Sequence, residues 1–323
     1  MRFSRGLVCD ALGVGCFAFV GVIIRYWLEV MSKFPGFPGF HDFYANLFGT
    51  MVLGFAASHK NFLTLSPPTA VGITTGLCGS ITTFSSWQYD NAIVLTNWLE
   101  ENSTWENILI SITNQIVGVT ACISIFLFGK HLAMKSPKNN DKVEPADEEP
   151  EHQLKIEFWI YLSLFIATTV ISLAIGFGTD VERLSLAFSV FFAPIGAITR
   201  WIIGKLLNVP EKFGDYYLPY GTLAVNIIGC LLLAMINIVI QEHACFSDPN
   251  DSNHLLKSGI AHGFATGFCG CFTTVSTWIS ELHTLELKRA YIYGIFSIVL
   301  AQMCLIAAVG GYRWSQNEWE MCD

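Results

Sequence analysis

A chain of 323 residues that is 52% apolar and only 14% charged cannot clothe a water-facing surface, since soluble domains carry about 25% charged residues. The net charge of −8 is local, gathered in Asp141, Glu144, Asp147, Glu148, Glu149, Glu151 and Glu157, and it specifies no acidic or basic partner. The ten cysteines show no metal-ligand spacing and no nucleophile–base set stands out, so an enzyme is not expected, nor is a nucleic-acid partner.

Apolar runs of about bilayer-spanning length recur along the chain. In order they cover 8–30, 43–58, 70–90, 105–129, 156–178, 185–207, 216–240, 258–283 and 288–312, which makes nine expected transmembrane helices. Met1-Arg-Phe-Ser-Arg5 is basic, but no Ala-x-Ala-like site follows the first run, so that span is expected to stay. The stretch Lys130–Lys155, with Pro137, Asn139, Asn140, Pro145 and Pro150, is a solvated linker by composition. With the N-terminus inside, inner segments carry twelve Lys and Arg and outer segments four, a positive-inside bias. The two N-x-S/T sequons, at Asn102 and Asn250, then fall in external loops. This places the N-terminus in the cytoplasm and the C-terminus outside, where Cys245 and Cys322 are candidates for a disulfide.

The third and eighth spans carry variants of one fifteen-residue stretch. Gly76-Leu-Cys-Gly-Ser-Ile-Thr-Thr-Phe-Ser-Ser-Trp-Gln-Tyr-Asp90 and Gly267-Phe-Cys-Gly-Cys-Phe-Thr-Thr-Val-Ser-Thr-Trp-Ile-Ser-Glu281 share seven positions, where average composition gives about one. Two further features recur in the same order: Gly21-x-x-x-Arg25 with Gly196-x-x-x-Arg200, and Asn46-x-x-Gly49 with Asn226-x-x-Gly229. The chain is therefore a duplication. A first repeat (1–130) precedes an acidic loop and a lone linker span (131–180), and a second repeat follows (181–323). Four spans, one unpaired span and four more make the repeats antiparallel. The expected fold is an all-α membrane protein of two inverted four-helix repeats joined by an inverting helix.

Each recurring feature has a bland and a sharp reading. Arg25 and Arg200 lie near span ends, as snorkelling anchors or as vestibule groups that attract an anion. Asn46 and Asn226 sit mid-span, as interhelical hydrogen-bond partners or as amide donors to a passing ion. The glycines of the fifteen-residue stretch suit a tight helix crossing. With Thr82-Thr83 and Thr273-Thr274 following, they also permit a break in the helix. A break at membrane depth frees carbonyls that protein, water or a cation must satisfy. Two facing breaks would make a cage of neutral oxygens suited to a hard monovalent cation. After each break come Phe84, Ser85 and Trp87, or Val275, Ser276 and Trp278. Aromatic residues three apart share a helix face, where they pack or present positive ring edges to an anion.

In this order, the motifs GxxxRY, GTxxxNxxG and GxCGxxTTxSxW resemble the small fluoride channels of bacteria, Fluc or CrcB. The duplicated form with an inverting span is similar to the eukaryotic fluoride exporters, FEX. The resemblance covers both halves outside the linker span and loops. It implies passive fluoride efflux across the plasma membrane, protection from fluoride toxicity, and function as a single-chain pseudo-dimer. It also implies a structural Na⁺ held by backbone carbonyls of Gly79, Thr82, Gly270 and Thr273. The implied fluoride path runs past Asn46, Phe84, Ser85, Trp87, Thr222, Asn226, Ser276 and Trp278. Val275 departs from the family's phenylalanine and His41-Asp42 replaces the Gly-Thr found at Gly221-Thr222. Only the path with Phe84 and Trp278 is then expected to conduct well. An ion-coupled carrier for another small anion and a non-transporting membrane scaffold are the competing readings. The ionisable acids Asp10, Glu29, Asp42, Asp90, Glu157 and Glu281 fall at span ends, which favours a channel over a coupled carrier.

Overall fold

The computed structural model describes residues 5–33, 40–59, 62, 65–97, 103–135, 151–176, 181–209, 217–246 and 254–315, and every regular element among them is helical. The sequon asparagines Asn102 and Asn250, Cys322 and the side chain of Cys245 lie outside the described residues. Helix α1 (Arg5–Ser32) precedes the short α2 (Phe43–Ala56). A segmented helix follows: α3 (Pro67–Val71), a π-helical stretch (Gly72–Leu77), α4 (Cys78–Ile81) and, after a break, α5 (Phe84–Leu95). Helices α6 (Thr104–Met134), α7 (Glu151–Gly176), α8 (Val181–Leu207) and α9 (Tyr220–Phe246) are continuous. The second segmented helix comprises α10 (His254–Gly263), a π-helical stretch (Phe264–Cys269), α11 (Gly270–Phe272) and, after a break, α12 (Ser276–Thr284). Helix α13 (Leu287–Leu305) runs through a π-helical stretch (Ile306–Gly310) into α14 (Gly311–Ser315).

Six described helices are long and apolar enough to cross a membrane by length and composition. The remaining three expected spans coincide with α2 and with the two segmented helices. Local chemistry sets several boundaries. Pro67 and Pro68 open α3, where missing N–H groups cost nothing. Ser103 caps α6, with Glu106 Oε2 accepting from its N–H at 2.8 Å and its hydroxyl at 2.7 Å.

Packing follows the duplication. Helix α2 lies along α6, and α9 lies along α13. Helices α1 and α8 meet across the repeats, through a seam of Ala18, Val22, Ala193 and Ala197. Small residues let two backbones approach where no hydrophobic force drives helices together in lipid. Matched glycines tighten contacts within each repeat. A Cβ on Gly76 would meet the backbone carbonyl of Val14, and one on Gly267 would meet that of Ser189. Helix α7 packs against α1 and α8. Phe165 packs tilted against Phe19 with ring centroids 5.3 Å apart, and Tyr161 hydrogen-bonds Thr69 at 2.6 Å.

Candidate functional site

The two segmented helices break at matched positions. Thr82 and Thr83 are extended (φ −88°, ψ 147°; φ −139°, ψ 130°), and Thr273 is extended likewise (φ −102°, ψ 163°). The breaks are buried and must satisfy their own backbone, since lipid offers no partner. They do so by exchange. The Thr82 hydroxyl accepts the N–H groups of Val275 (3.3 Å) and Ser276 (3.2 Å) at the start of α12. The Thr273 hydroxyl accepts those of Phe84 and Ser85, both at 3.2 Å, at the start of α5. Each threonine thus caps the helix of the other repeat. The hydroxyl pairs repeat the exchange: Thr82 with Thr274 and Thr83 with Thr273, both 3.2 Å. Ser276 donates to the Cys78 carbonyl at 3.2 Å and Ser85 to that of Cys269 at 3.4 Å. Matched pairs swapped in this way are the signature of a two-fold relation.

Asn46 and Asn226 serve the breaks from α2 and α9. Asn46 Oδ1 accepts from the Thr83 N–H at 2.9 Å while its amide donates to the Thr83 carbonyl at 3.2 Å. Asn226 makes the same pair with Thr274, at 2.9 and 3.2 Å. These bonds are interhelical, and each leaves one amide hydrogen unused. They have a further consequence. The Thr83 and Thr274 N–H groups are the helical donors four residues on from the Gly79 and Gly270 carbonyls, and both are diverted to asparagine. The donors due to Thr82 and Thr273 are diverted too, since the Ser86 and Thr277 N–H groups point to Thr83 Oγ1 (3.5 Å) and Thr274 Oγ1 (3.4 Å). Carbonyls at Gly79, Thr82, Gly270 and Thr273 therefore lack their regular helical partners. Neutral oxygens of this kind fit a hard monovalent cation.

Arg25 and Arg200 differ from an open vestibule lining. They are 1% and 5% exposed, and each crosses to the other repeat. Arg25 donates to the Thr266 carbonyl, and Arg200 to that of Thr75 at 2.9 Å and of Cys271 at 2.9 Å. A Cβ on Gly270 would lie 2.6 Å from the Arg25 guanidinium, and Gly79 is the corresponding seat of Arg200. Arg25 also pairs with Glu29 at 3.4 Å. The position matching Glu29 is Gly204, and among the described residues no carboxylate pairs with Arg200.

The aromatic residues converge. Phe84 meets Trp278 edge-on with ring centroids 5.6 Å apart, and Trp87 lies 6.5 Å from Trp278. Phe84, Trp87, Val275 and Trp278 belong to one buried cluster. Trp87 Nε1 and Trp278 Nε1 are both buried with no hydrogen-bond partner. Arg25 Nη1 and Ser80 Oγ are also buried without a partner, and such groups call for a polar ligand.

The repeats diverge below this centre. Glu281 accepts from Thr222 (2.5 Å), Asn208 (3.2 Å) and Tyr293 (2.9 Å), so Thr222 is joined to a carboxylate and not to Asn226's partner. The matched Asp90 instead holds His41, at 3.3 Å. Gln88 exchanges amide bonds with Gln115 at 3.1 and 2.8 Å and accepts from Gln302 at 2.8 Å. Ile279 stands at the position matching Gln88. Composition and spacing do not reveal that Glu281 is tied into the interior. The mismatches Gln88/Ile279 and Asp90/Glu281 inside an otherwise matched stretch were the available signal.

Comparison with known proteins agrees with this arrangement. The family model for CrcB-like protein, Camphor Resistance (CrcB), matches twice, over residues 12–129 and 187–312. The chain is 28% identical over 308 residues to fluoride export protein 1 of Schizosaccharomyces pombe, covering 93% of this chain and 95% of that protein. Fluoride export protein 1 of Candida albicans is 26% identical over 317 residues, with 91% and 77% covered. The fluoride-specific ion channel FluC of Methanococcus aeolicus is 32% identical over 127 residues, 39% of this chain and 95% of the relative. No solved structure matches. A unit that fills the archaeal relative and occurs twice here, with matched breaks that cap one another, shows that the chain belongs to the CrcB-like family in duplicated form.

Proposed function

We propose that this chain exports fluoride passively from the cytoplasm, as two antiparallel CrcB-like repeats that act as one pseudo-dimer. The observation that carries the reading is the pair of buried, unpartnered indole N–H groups of Trp87 and Trp278 beside Phe84. Fluoride is a compact, strong hydrogen-bond acceptor. Donors fixed in a dry site, with no acceptor among the described residues, replace its hydration without reorganising. Ring edges of Phe84 and the spare amide hydrogens of Asn46 and Asn226 add positive character along the way. Ser85, Ser276 and Thr222 border the path. Arg25 and Arg200 contribute positive potential from within the interface rather than from an open vestibule. A Na⁺ at the four freed carbonyls would fasten the breaks to one another, and the nearby guanidiniums disfavour any ion of higher charge.

The odd linker helix α7 supports the antiparallel arrangement, and the lysine and arginine bias supports a cytoplasmic N-terminus. A plasma-membrane location follows from the trapping of fluoride inside a less acidic cell. A negative interior drives the anion out with about 2.3 kcal/mol per charge per 100 mV. Of the two paths, the one with Phe84 and Trp278 conducts well, because Val275 offers no polar edge to the other.

The test is purified protein in liposomes with a fluoride electrode. Fluoride efflux should exceed chloride efflux, stop when the potential is dissipated and show no proton coupling. Trp278→Phe, which keeps the ring and deletes the donor, should slow efflux about tenfold, as should Phe84→Val, each equal to about 1.4 kcal/mol of lost stabilisation. Proton-coupled flux would favour a carrier, and absence of flux a scaffold. Unchanged efflux in Phe84→Val would overturn the one-path reading.

A further inference from the structure

Between α6 and α13, floored by α12, lies a groove of about 610 Å³ whose walls are almost wholly apolar. On α13 it runs from Leu287 to Ile298, roughly 17 Å at 1.5 Å per residue. That is close to half the ~30 Å hydrocarbon core of a bilayer. Both ends are polar. At mid-height the groove reaches Gln115, which is bonded to Gln88, itself bonded to Gln302. At the other end Lys130 Nζ sits 2.8 Å from His283 Nε2. Lys288 is exposed and lies three and seven residues before Tyr291 and Ile295 of the lining, on one helical stripe. Glu286 pairs with Arg289 at 3.4 Å, and among the described residues no carboxylate pairs with Lys130 or Lys288. A slot of half-bilayer height with a basic foot matches one lipid leaflet in both length and charge.

We propose that this groove holds one anionic phospholipid, its phosphate between Lys130 and Lys288 and one acyl chain running up against Ile279 and Trp278. The orientation given under the proposed function makes this the cytoplasmic leaflet. The site comes from the divergence of the repeats. Gln88 in the first repeat reaches both fourth helices, whereas the matched Ile279 leaves an apolar floor. A seated acyl chain would press on the helix that carries Trp278 and hold it at the aromatic cluster.

The test uses the full chain in phosphatidylcholine vesicles with a trace of phosphatidylserine, or of phosphatidylcholine, carrying a photoactivatable diazirine on the acyl chain. Labelled peptides are mapped by mass spectrometry. The serine probe should label the peptide holding Trp278 and Ile279 well above the choline probe. Lys130→Ala and Lys288→Ala should each lower serine labelling about fivefold, while the Lys→Arg pair retains it. Ala290→Phe, which fills the groove, should lower labelling by both probes. Equal labelling by the two probes, indifference to the lysine changes, or cross-linking of one copy to another across α6 and α13 would each overturn the proposal. Labelling needs no transport, so its failure is separable from failure of the fluoride reading.

Discussion

The Thr82 hydroxyl accepts two backbone N–H groups from the opposite repeat, and Thr273 returns the arrangement. Thr82→Val keeps the shape of the side chain but leaves the Val275 and Ser276 donors buried without a partner. An unsatisfied buried donor costs about 1–3 kcal/mol. Thr82→Val should therefore lower the thermal midpoint of the purified protein, and Thr82→Ser should preserve it. An unchanged midpoint in Thr82→Val would mean that water fills the cap. Sequence marked these threonines as a break. It did not show that each serves the other repeat, because the partner lies about 190 residues away and no local pattern encodes that contact. Asn46 and Asn226 were legible as polar groups at membrane depth. Their role as substitutes for the lost helical bonds of Thr83 and Thr274 needed the geometry.

At the scale of elements, the segmented helices are held by what approaches their glycines. Gly79 faces the Arg200 guanidinium so closely that a methyl group has no room. Gly79→Ala should displace Arg200 from the Thr75 and Cys271 carbonyls and strongly reduce folded yield, measured by size-exclusion chromatography. The loop ahead of α2 makes a different, pH-dependent contact. The hydrogen bond that the His41 imidazole donates to Asp90, reinforced by the carboxylate's charge, raises the histidine pKa above its ordinary value. The pair then adds stability that is fully present below about pH 6.5 and is lost as pH rises through the raised value. Wild-type protein should lose this increment between mildly acidic and mildly alkaline pH, and Asp90→Asn should lack it. Equal pH dependence of the two melting curves would show the contact to be inert. The Ser103–Glu106 box joins residues only three apart in the chain, a local pattern that the reading by apolar length and repeats passed over. The π-helical stretches before both breaks instead carry glycines that pack against α1 and α8, contacts made with distant segments.

For the whole molecule, α7 is the element that the duplication does not explain. It contacts α1 and α8 but contributes nothing to the reciprocal caps. Its deletion should insert the second repeat with the opposite sense, separate Thr82 from Ser276 and abolish fluoride tolerance in a fluoride-sensitive cell. Tolerance restored by an unrelated apolar helix of equal length would support a purely topological role. Tolerance retained without any helix would refute it. The sequence by itself determined the membrane class, the duplication, the order of the spans and the residues at the centre. These rest on hydrophobic length and on motifs that recur in order, which are local or additive along the chain. Only the tertiary structure decided what those residues do to one another. It buried Arg25 and Arg200 in the interface, tied Glu281 to Thr222 and Tyr293, left two indole donors unpartnered and opened a groove over Ile279. Such outcomes depend on which groups from distant segments meet in a medium without water, where lipid offers a polar atom no partner.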